Sequence, residues 1–314
     1  MTPVIATHDL IATIVVNPAA GQCNMRPQVQ QAADELAQRG WHLTIEETRS
    51  PGDAVRLARQ AAATGQDVVL VVGGDGTLNE AANGLVGSET ALGLLSVGTG
   101  NSWARLLGLP IGDLTRAARL LAEGCVRTVD VGCAGDRYFL QWAGVGFDAT
   151  VTQEVESRHQ DMKKRLGPLA YIVTGILVAI RYPSTDLRLT VDGRTVYRRA
   201  AFAVVANARR YAGILPLAGQ TCLDDGWLAL FVFRGSGFCR TLRHFILLLL
   251  GRHTRDAAVW HARVQDEDIR ATRPLNIELD GEPAGMTPVR ITVVPKALRV
   301  LVPHNLPPGL FSDA

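Results

Sequence analysis

The sequence predicts an α/β domain on a parallel sheet, followed by an all-β domain of sandwich type. Three observations point there. Strand and helix patterns alternate through the first 130 residues. The strands of that stretch read as unbroken Val/Ile/Leu runs, as strands covered on both faces do. Beyond it come short strands joined by turn signals, the pattern of antiparallel sheets stacked face to face. With 314 residues, 47% apolar and 20% charged, the chain can fill two cores.

The elements follow in order. Residues 11–16 are a β-branched run ending at Asn17-Pro18. Residues 27–39 are helical, with Val29, Ala32, Ala33 and Leu36 on one stripe and Gly40 as the stop. Residues 41–45 alternate as a strand, and Asp53 caps a helix that runs to Ala63 and closes at Gly65. An apolar run over 67–72 enters Gly73-Gly74-Asp75-Gly76, and a helix is expected over 77–85. A strand at 91–97 leads into Gly98-Thr99-Gly100-Asn101, which opens a helix ending at Leu107. A helix over 113–122 and a strand over 126–131 complete this half. In the second half strands are expected at 138–145, 186–191, 196–207, 227–233, 257–264 and 276–279, with helical patterns at 166–181 and 238–250.

Composition narrows the function. Aromatics at 6% argue against a stacking platform for single-stranded nucleic acid, and no nucleic-acid partner is expected. Five cysteines with no CxxC pair favour neither a disulfide framework nor a zinc site. The first sixteen residues lack a basic region and a small-residue cleavage site, so a cytoplasmic chain is expected. No apolar run reaches the roughly 18 residues of a spanning helix. Charge is uneven: residues 1–150 hold 10 basic and 15 acidic side chains, residues 151–260 hold 16 and 8. A basic middle suits an anionic surface; an arginine-rich composition spread over solvated faces accounts for the same excess.

Three small-residue loops follow three strands: Asn17-Pro18-Ala19-Ala20-Gly21, Gly73-Gly74-Asp75-Gly76-Thr77 and Gly98-Thr99-Gly100-Asn101. A glycine turn at the end of a parallel strand lets backbone N–H groups approach phosphate, and the next helix adds its N-terminal partial charge. An acidic residue inside such a loop suits a phosphate-bridging Mg²⁺. Each loop alone can also be read as a tight turn; three in one sheet face one crevice, where open α/β sheets bind ligands. GxxxxGK[ST] is absent, which excludes a P-loop. Gly144-Val145-Gly146 fits a loose dinucleotide pattern without the acidic residue that should follow about 20 residues on. Downstream, Asn276-Ile277-Glu278-Leu279-Asp280-Gly281-Glu282 carries a DG hairpin signal, yet two carboxylates at a strand end can also serve proton transfer. Asp224-Asp225-Gly226 is a turn by default and a hard-cation site if oxygens converge.

These residues, in this order, resemble the diacylglycerol kinase catalytic family, whose domain sphingosine and ceramide kinases share. NPxxG, GGDGT with Glu80, GTGN followed by Ala104-Arg105, Asp130-Val131-Gly132 and LDGE carry the resemblance over nearly the whole chain. It implies a nucleotide-binding domain like that of NAD kinase and phosphofructokinase over 1–134, rejoined by 297–314, and a lipid-substrate β-sandwich over 135–296. It also implies ATP contacts at Asn17, Thr48, Gly73, Gly74, Asp75, Gly76, Thr77, Leu78, Asn79 and Thr99. Asp280 would be the general base, with Glu282 and Glu80 in support. Mg²⁺ would sit on the Asp225 carboxylate and the carbonyls of Cys222 and Trp227, while Asp75 competes for a catalytic or metal role. Two departures stand out: Ser102 replaces the usual Asp after GTGN, and Ala20 replaces the Ser of NPxSG.

The expected reaction is transfer of the ATP γ-phosphoryl group to the hydroxyl of diacylglycerol or a similar lipid alcohol, with donor and acceptor on different domains. The alternatives are a sphingoid-base or ceramide kinase, an NAD kinase-like enzyme, or a non-catalytic nucleotide-binding regulator. The expected partners are ATP and a lipid at an anionic bilayer, peripheral to the inner face of the membrane, with a homodimer as a candidate assembly. The apolar stretch 168–180, flanked by Lys163, Lys164, Arg165 and Arg181, reads first as a helix packed on the sandwich and also suits an interfacial element, and both hold if one end is exposed.

Overall fold

The computed structural model describes residues 10–21, 25–98, 100–146, 149–150, 185–191, 193–211, 215–219, 221–235 and 237–312. Thr99 and the helical pattern expected over 166–181 lie outside them. The chain divides into Met1–Asp130 with Pro295–Ala314, and Val131–Val294.

The first unit is built on β1 (Ile11–Val16), β2 (His42–Glu47), β3 (Val68–Gly73) and β4 (Ala91–Ser96), in the order β2-β1-β3-β4. All of these neighbours run parallel. The last stretch of β17 (Val289–Val302) lies beside β4, with Val300 opposite Leu92. β3 is buried at every position, as its unbroken apolar run requires. The edge strand β2 is mostly exposed, and Trp41 before it is buried instead. The connecting helices are α1 (Arg26–Ala37), α2 (Asp53–Ala63), α3 (Asp75–Leu85), α4 (Ser102–Leu107) and α5 (Leu114–Ala122). α1 packs on α5 and α2 on α3. Gly84 permits the second contact, since a Cβ there would lie 2.5 Å from the Val55 carbonyl oxygen.

The second unit continues β5 (Cys125–Ala134) into β6 (Arg137–Phe139) and β7 (Trp142–Gly146). It adds β8 (Thr185–Val191), β9 (Arg194–Ala206), the short β10 (Arg210–Tyr211) and β11 (Leu215–Pro216), and β12 (Leu228–Arg234). After α6 (Phe238–Leu249) come β13 (Val259–Val264), β14 (Asp266–Ala271), β15 (Asn276–Leu279) and β16 (Glu282–Met286). The long strand β9 pairs antiparallel with β8 over its first half and with β7 and β12 over its second. β12 is buried on both faces with period two. Leu230 and Val232 join the core with Val145, Val205 and Ile277; Phe231 and Phe233 join Phe202, Val259 and Leu248 on the other side.

The single strand expected over 138–145 is two strands, broken at Leu140-Gln141. β14, β16 and β17 were not anticipated. Among the described residues no helix is long and apolar enough to cross a membrane.

Candidate functional site

The three strand-end loops of the first unit converge through backbone. Asn17 donates its N–H to the Val72 carbonyl at 2.9 Å and its amide to Thr77 Oγ1 at 2.8 Å, while its own Oδ1 accepts from the Ala19 N–H at 3.0 Å. Thr77 stands directly over Gly73, where a Cβ would lie 2.9 Å from Thr77 Cβ. A Cβ on Gly98 would lie 2.8 Å from Gly74 Cα, so the two glycine loops touch main chain to main chain. Both glycines are required by contact, not by turn angle. At the start of α3 the N–H groups of Gly74, Asp75, Gly76 and Thr77 have no intrahelical acceptor, because Leu78 makes the first helical bond, to the Gly74 carbonyl at 3.1 Å. These N–H groups and the helix dipole form a surface for anionic oxygens.

The remaining residues implied near these loops divide into those that face them and those that hold them. The Thr48 N–H bonds the Val16 carbonyl at 2.8 Å, which brings the end of β2 beside the Asn17 loop. The Glu80 carboxylate accepts from the Gly52 N–H at 3.0 Å and so ties that segment to α3. In the same segment Asp53 accepts from the N–H groups of Arg49 and Ser50, at 2.8 and 3.1 Å. The Arg49 bond in particular holds its carboxyl below the usual carboxylate range. The Leu78 side chain is buried in the core and Asn79 is buried beside Asn83. Asp75 turns its carboxylate to the first turn of α4, accepting from the N–H of Ser102 at 2.9 Å and of Trp103 at 3.1 Å. It clasps the two glycine loops together. Asn101, in the left-handed region at φ 52°, donates to the Gly98 carbonyl, and its Oδ1 is buried with no partner among the described residues.

In the second unit Leu279 and Glu282 pair across a two-residue turn, Asp280 (φ 50°) and Gly281 (φ 87°). Two positive φ values are what a type I′ hairpin needs, and DG supplies them. The turn signal and the chemical signal therefore fall on the same residue. Asp280 is 6% exposed, and its carboxylate accepts three backbone N–H groups. Leu140 donates to one oxygen at 2.7 Å; Gln141 and Trp142 donate to the other at 2.9 and 3.0 Å. These bonds take the N–H groups of Leu140 and Gln141 out of the ladder, which is why β6 and β7 are separate. They are charge-assisted, so they favour the anion and fix its orientation. The Gly281 N–H donates to Glu278 at 2.6 Å, and Glu282 pairs with Arg137 at 3.4 Å.

Asp225 is the carboxylate expected to hold a metal with the carbonyls of Cys222 and Trp227. Its carboxylate accepts from the N–H groups of Cys222 and Trp227, at 3.2 and 3.0 Å. Arg263 meets the same carboxylate at 3.0 Å, with its guanidinium 5.1 Å over the Trp227 ring. The cation beside Asp225 is an arginine. Among the described residues no group of three or more His, Cys, Asp or Glu side chains is disposed to hold a metal.

Two residues of the sequence motifs are structural. Asp130 is fully buried and accepts from the Lys296 N–H at 2.7 Å, where φ of 50° turns the returning chain. Gly132 leaves room for the Phe139 ring, whose nearest atom would lie 2.0 Å from a Cβ. The role of Asn101 was missed. Its signal was a residue tolerant of the left-handed region between a glycine loop and a helix.

Comparison with known proteins gives these loops a family. Residues 11–134 match the model of the diacylglycerol kinase catalytic domain, and residues 142–302 match that of the YegS C-terminal NAD kinase beta sandwich-like domain. A diacylglycerol kinase of Bacillus subtilis (strain 168) is 29% identical over 296 residues, covering 94% of this chain and 97% of its own. One from Staphylococcus aureus (strain MRSA252) is 28% identical over 297 residues, 94% and 93% of the two chains. A crystal structure of a diacylglycerol kinase from Bacillus anthracis str. Sterne superposes with a TM-score of 0.76 at 25% identity, covering 94% of this chain and 98% of that one. The chain belongs to the diacylglycerol kinase catalytic-domain family, a family of lipid kinases.

Proposed function

We propose that the protein transfers the γ-phosphoryl group of ATP, which arrives as its magnesium complex, to the hydroxyl of diacylglycerol or a similar membrane lipid alcohol. The observation that carries this reading is the backbone contact of the two glycine loops beside the free N–H groups of α3. Phosphoryl transfer asks for positioning and charge neutralisation more than for covalent help, and such a surface offers both to a triphosphate. In this reading Asn17, Thr48 and the segment from Gly73 to Thr77 contact the nucleotide, with Thr99 as an expected further contact. Leu78 and Asn79 contribute through the fold of α3. Asp75 and Glu80 hold the loops that do the binding.

Asp280 is the proposed acceptor of the lipid hydroxyl proton. A carboxylate fixed by three N–H groups is a preorganised anion, able to orient a hydroxyl for in-line attack. No step in this reading passes through a metal at Asp225. The reading also places the protein at the inner face of the membrane, where its substrate resides. The test is transfer of label from γ-labelled ATP to micelles of diacylglycerol, phosphatidylglycerol, ceramide or sphingosine, or to NAD. Label in diacylglycerol or another lipid hydroxyl supports the reading; label in NAD alone, or in no acceptor, refutes it.

A further inference from the structure

Nine large apolar side chains are exposed among the described residues, and five of them fall in one nine-residue stretch. Leu242, Phe245, Ile246 and Leu249 lie on α6 and Leu250 caps it. Their spacing of three and four residues puts them on one face. The opposite face is already occupied. His244 and Leu248 are buried, with the His244 ring 5.3 Å from that of Phe233, and Leu248 lies in the cluster with Phe202 and Val259. Among the described residues the outer stripe is therefore left without a partner, 41–61% exposed along its length.

The charge around the stripe indicates what covers it. From Arg234 to Arg255 the sequence holds five arginines and no aspartate or glutamate. All five arginines are exposed, and Arg243 also reaches back to Asp256 at 3.0 Å. A second copy of this face would set arginines against arginines, which like charge opposes. A bilayer carrying anionic headgroups satisfies both parts of the surface, apolar side chains entering the acyl boundary and guanidinium groups meeting phosphates. We propose that α6 and the turn after it form the surface by which this protein docks on an anionic lipid bilayer. The proposal rests on the lipid-kinase reading for why the chain should meet a bilayer. It names an element other than the 168–180 stretch, for which an interfacial role was one of two readings of the sequence.

The experiment is flotation of the full chain with vesicles of phosphatidylcholine, with and without about a third of phosphatidylglycerol, for the wild type and an Ile246→Glu/Leu249→Glu variant. Kinase activity is measured in parallel on short-chain diacylglycerol dispersed as monomers in water. The wild type is expected to float with the anionic vesicles and to remain behind with pure phosphatidylcholine. The variant is expected to bind at least tenfold more weakly, yet to melt with the wild type and keep its activity on monomeric substrate. A variant that floats like the wild type overturns the proposal. So does a wild type that phosphorylates monomeric diacylglycerol without binding vesicles, an outcome that leaves the kinase reading standing. A wild type that docks but phosphorylates nothing sinks the kinase reading and leaves the docking surface. A dimer dissociated by the variant, with vesicle binding unchanged, assigns the face to a second copy and overturns the proposal.

Discussion

Replacing Asp280 by Asn separates two roles that meet on one side chain. Asn tolerates the φ of 50° at this position, so the backbone of the turn is not strained by the change. Its one carbonyl oxygen can still accept from Gln141 and Trp142. Its amide nitrogen then faces the buried Leu140 N–H, donor against donor, where the native carboxylate oxygen accepts at 2.7 Å. Leaving a buried donor unsatisfied costs about 1–3 kcal/mol. In a domain of this size each kcal/mol moves the melting temperature by about 2–4 °C, so the variant should melt about 2–12 °C below the wild type. Differential scanning fluorimetry without ligands reads this directly. A variant that melts within about 1 °C of the wild type would refute the claim that the carboxylate is fixed by these three bonds. Turnover must then be compared below both melts, so that lost folding is not counted as lost chemistry.

Further expectations concern the loops, the histidines and the cation at Asp225. Gly98→Ala drives a Cβ to 2.8 Å from Gly74 Cα, main chain that cannot step aside, and should weaken ATP binding at least about tenfold by calorimetry while the second unit melts unchanged. Glu80→Ala, which frees the Gly52 N–H, should raise the KM for ATP more than it lowers kcat; Glu80→Gln, whose amide oxygen still accepts, should stay near wild type. An equal loss in the two variants would mean that the charge of Glu80 acts directly. His244 and His253 are buried, and burial lowers their pKa below the ordinary 6.5. Each Nε2 meets a backbone carbonyl, of Arg234 at 2.9 Å and Leu217 at 2.8 Å, so the neutral ring carries its proton there and leaves Nδ1 without a partner among the described residues. The unfolded chain takes up protons first, so this stability is complete above pH 6.5 and falls as pH drops below it. Melts between pH 7.5 and 5.5 check the sign: rising stability toward acid would contradict the burial. Finally, Mg²⁺ without nucleotide should leave the wild-type melt unchanged, because Arg263 already supplies the cation at Asp225; a rise of several degrees would mean that the folded chain binds the ion itself.

Much of this arrangement can be read along the chain, because the features involved are local. A buried parallel strand is an unbroken apolar run, and a helix start is marked where that run breaks into glycine, as at Val68–Gly73 and the loop after it. The DG turn at Asp280-Gly281 is legible for the same reason. The tasks of Asp75 and Glu80 are not, since both carboxylates act on backbone N–H groups 27 and 28 residues away. The break between β6 and β7 is set by Asp280, 138–140 residues downstream, and no local pattern in 138–145 betrays it. β17 was hidden by Pro295 and Lys296 in the middle of its 14 residues, and β14 by the run of three acids before Ile269. The ion pair at Asp225 is not legible either, because its partner Arg263 lies 38 residues along the chain.

The most direct test of the account is the rate at which the purified chain converts diacylglycerol and ATP to the phosphorylated lipid, wild type against Asp280→Asn, below the melting temperature of both. The account predicts labelled lipid from the wild type and a kcat lower by about 10²–10⁴ in the variant, the range for removal of a general base. Equal rates would contradict Asp280 as the proton acceptor, and a wild type that binds ATP but labels no lipid hydroxyl would contradict the function itself.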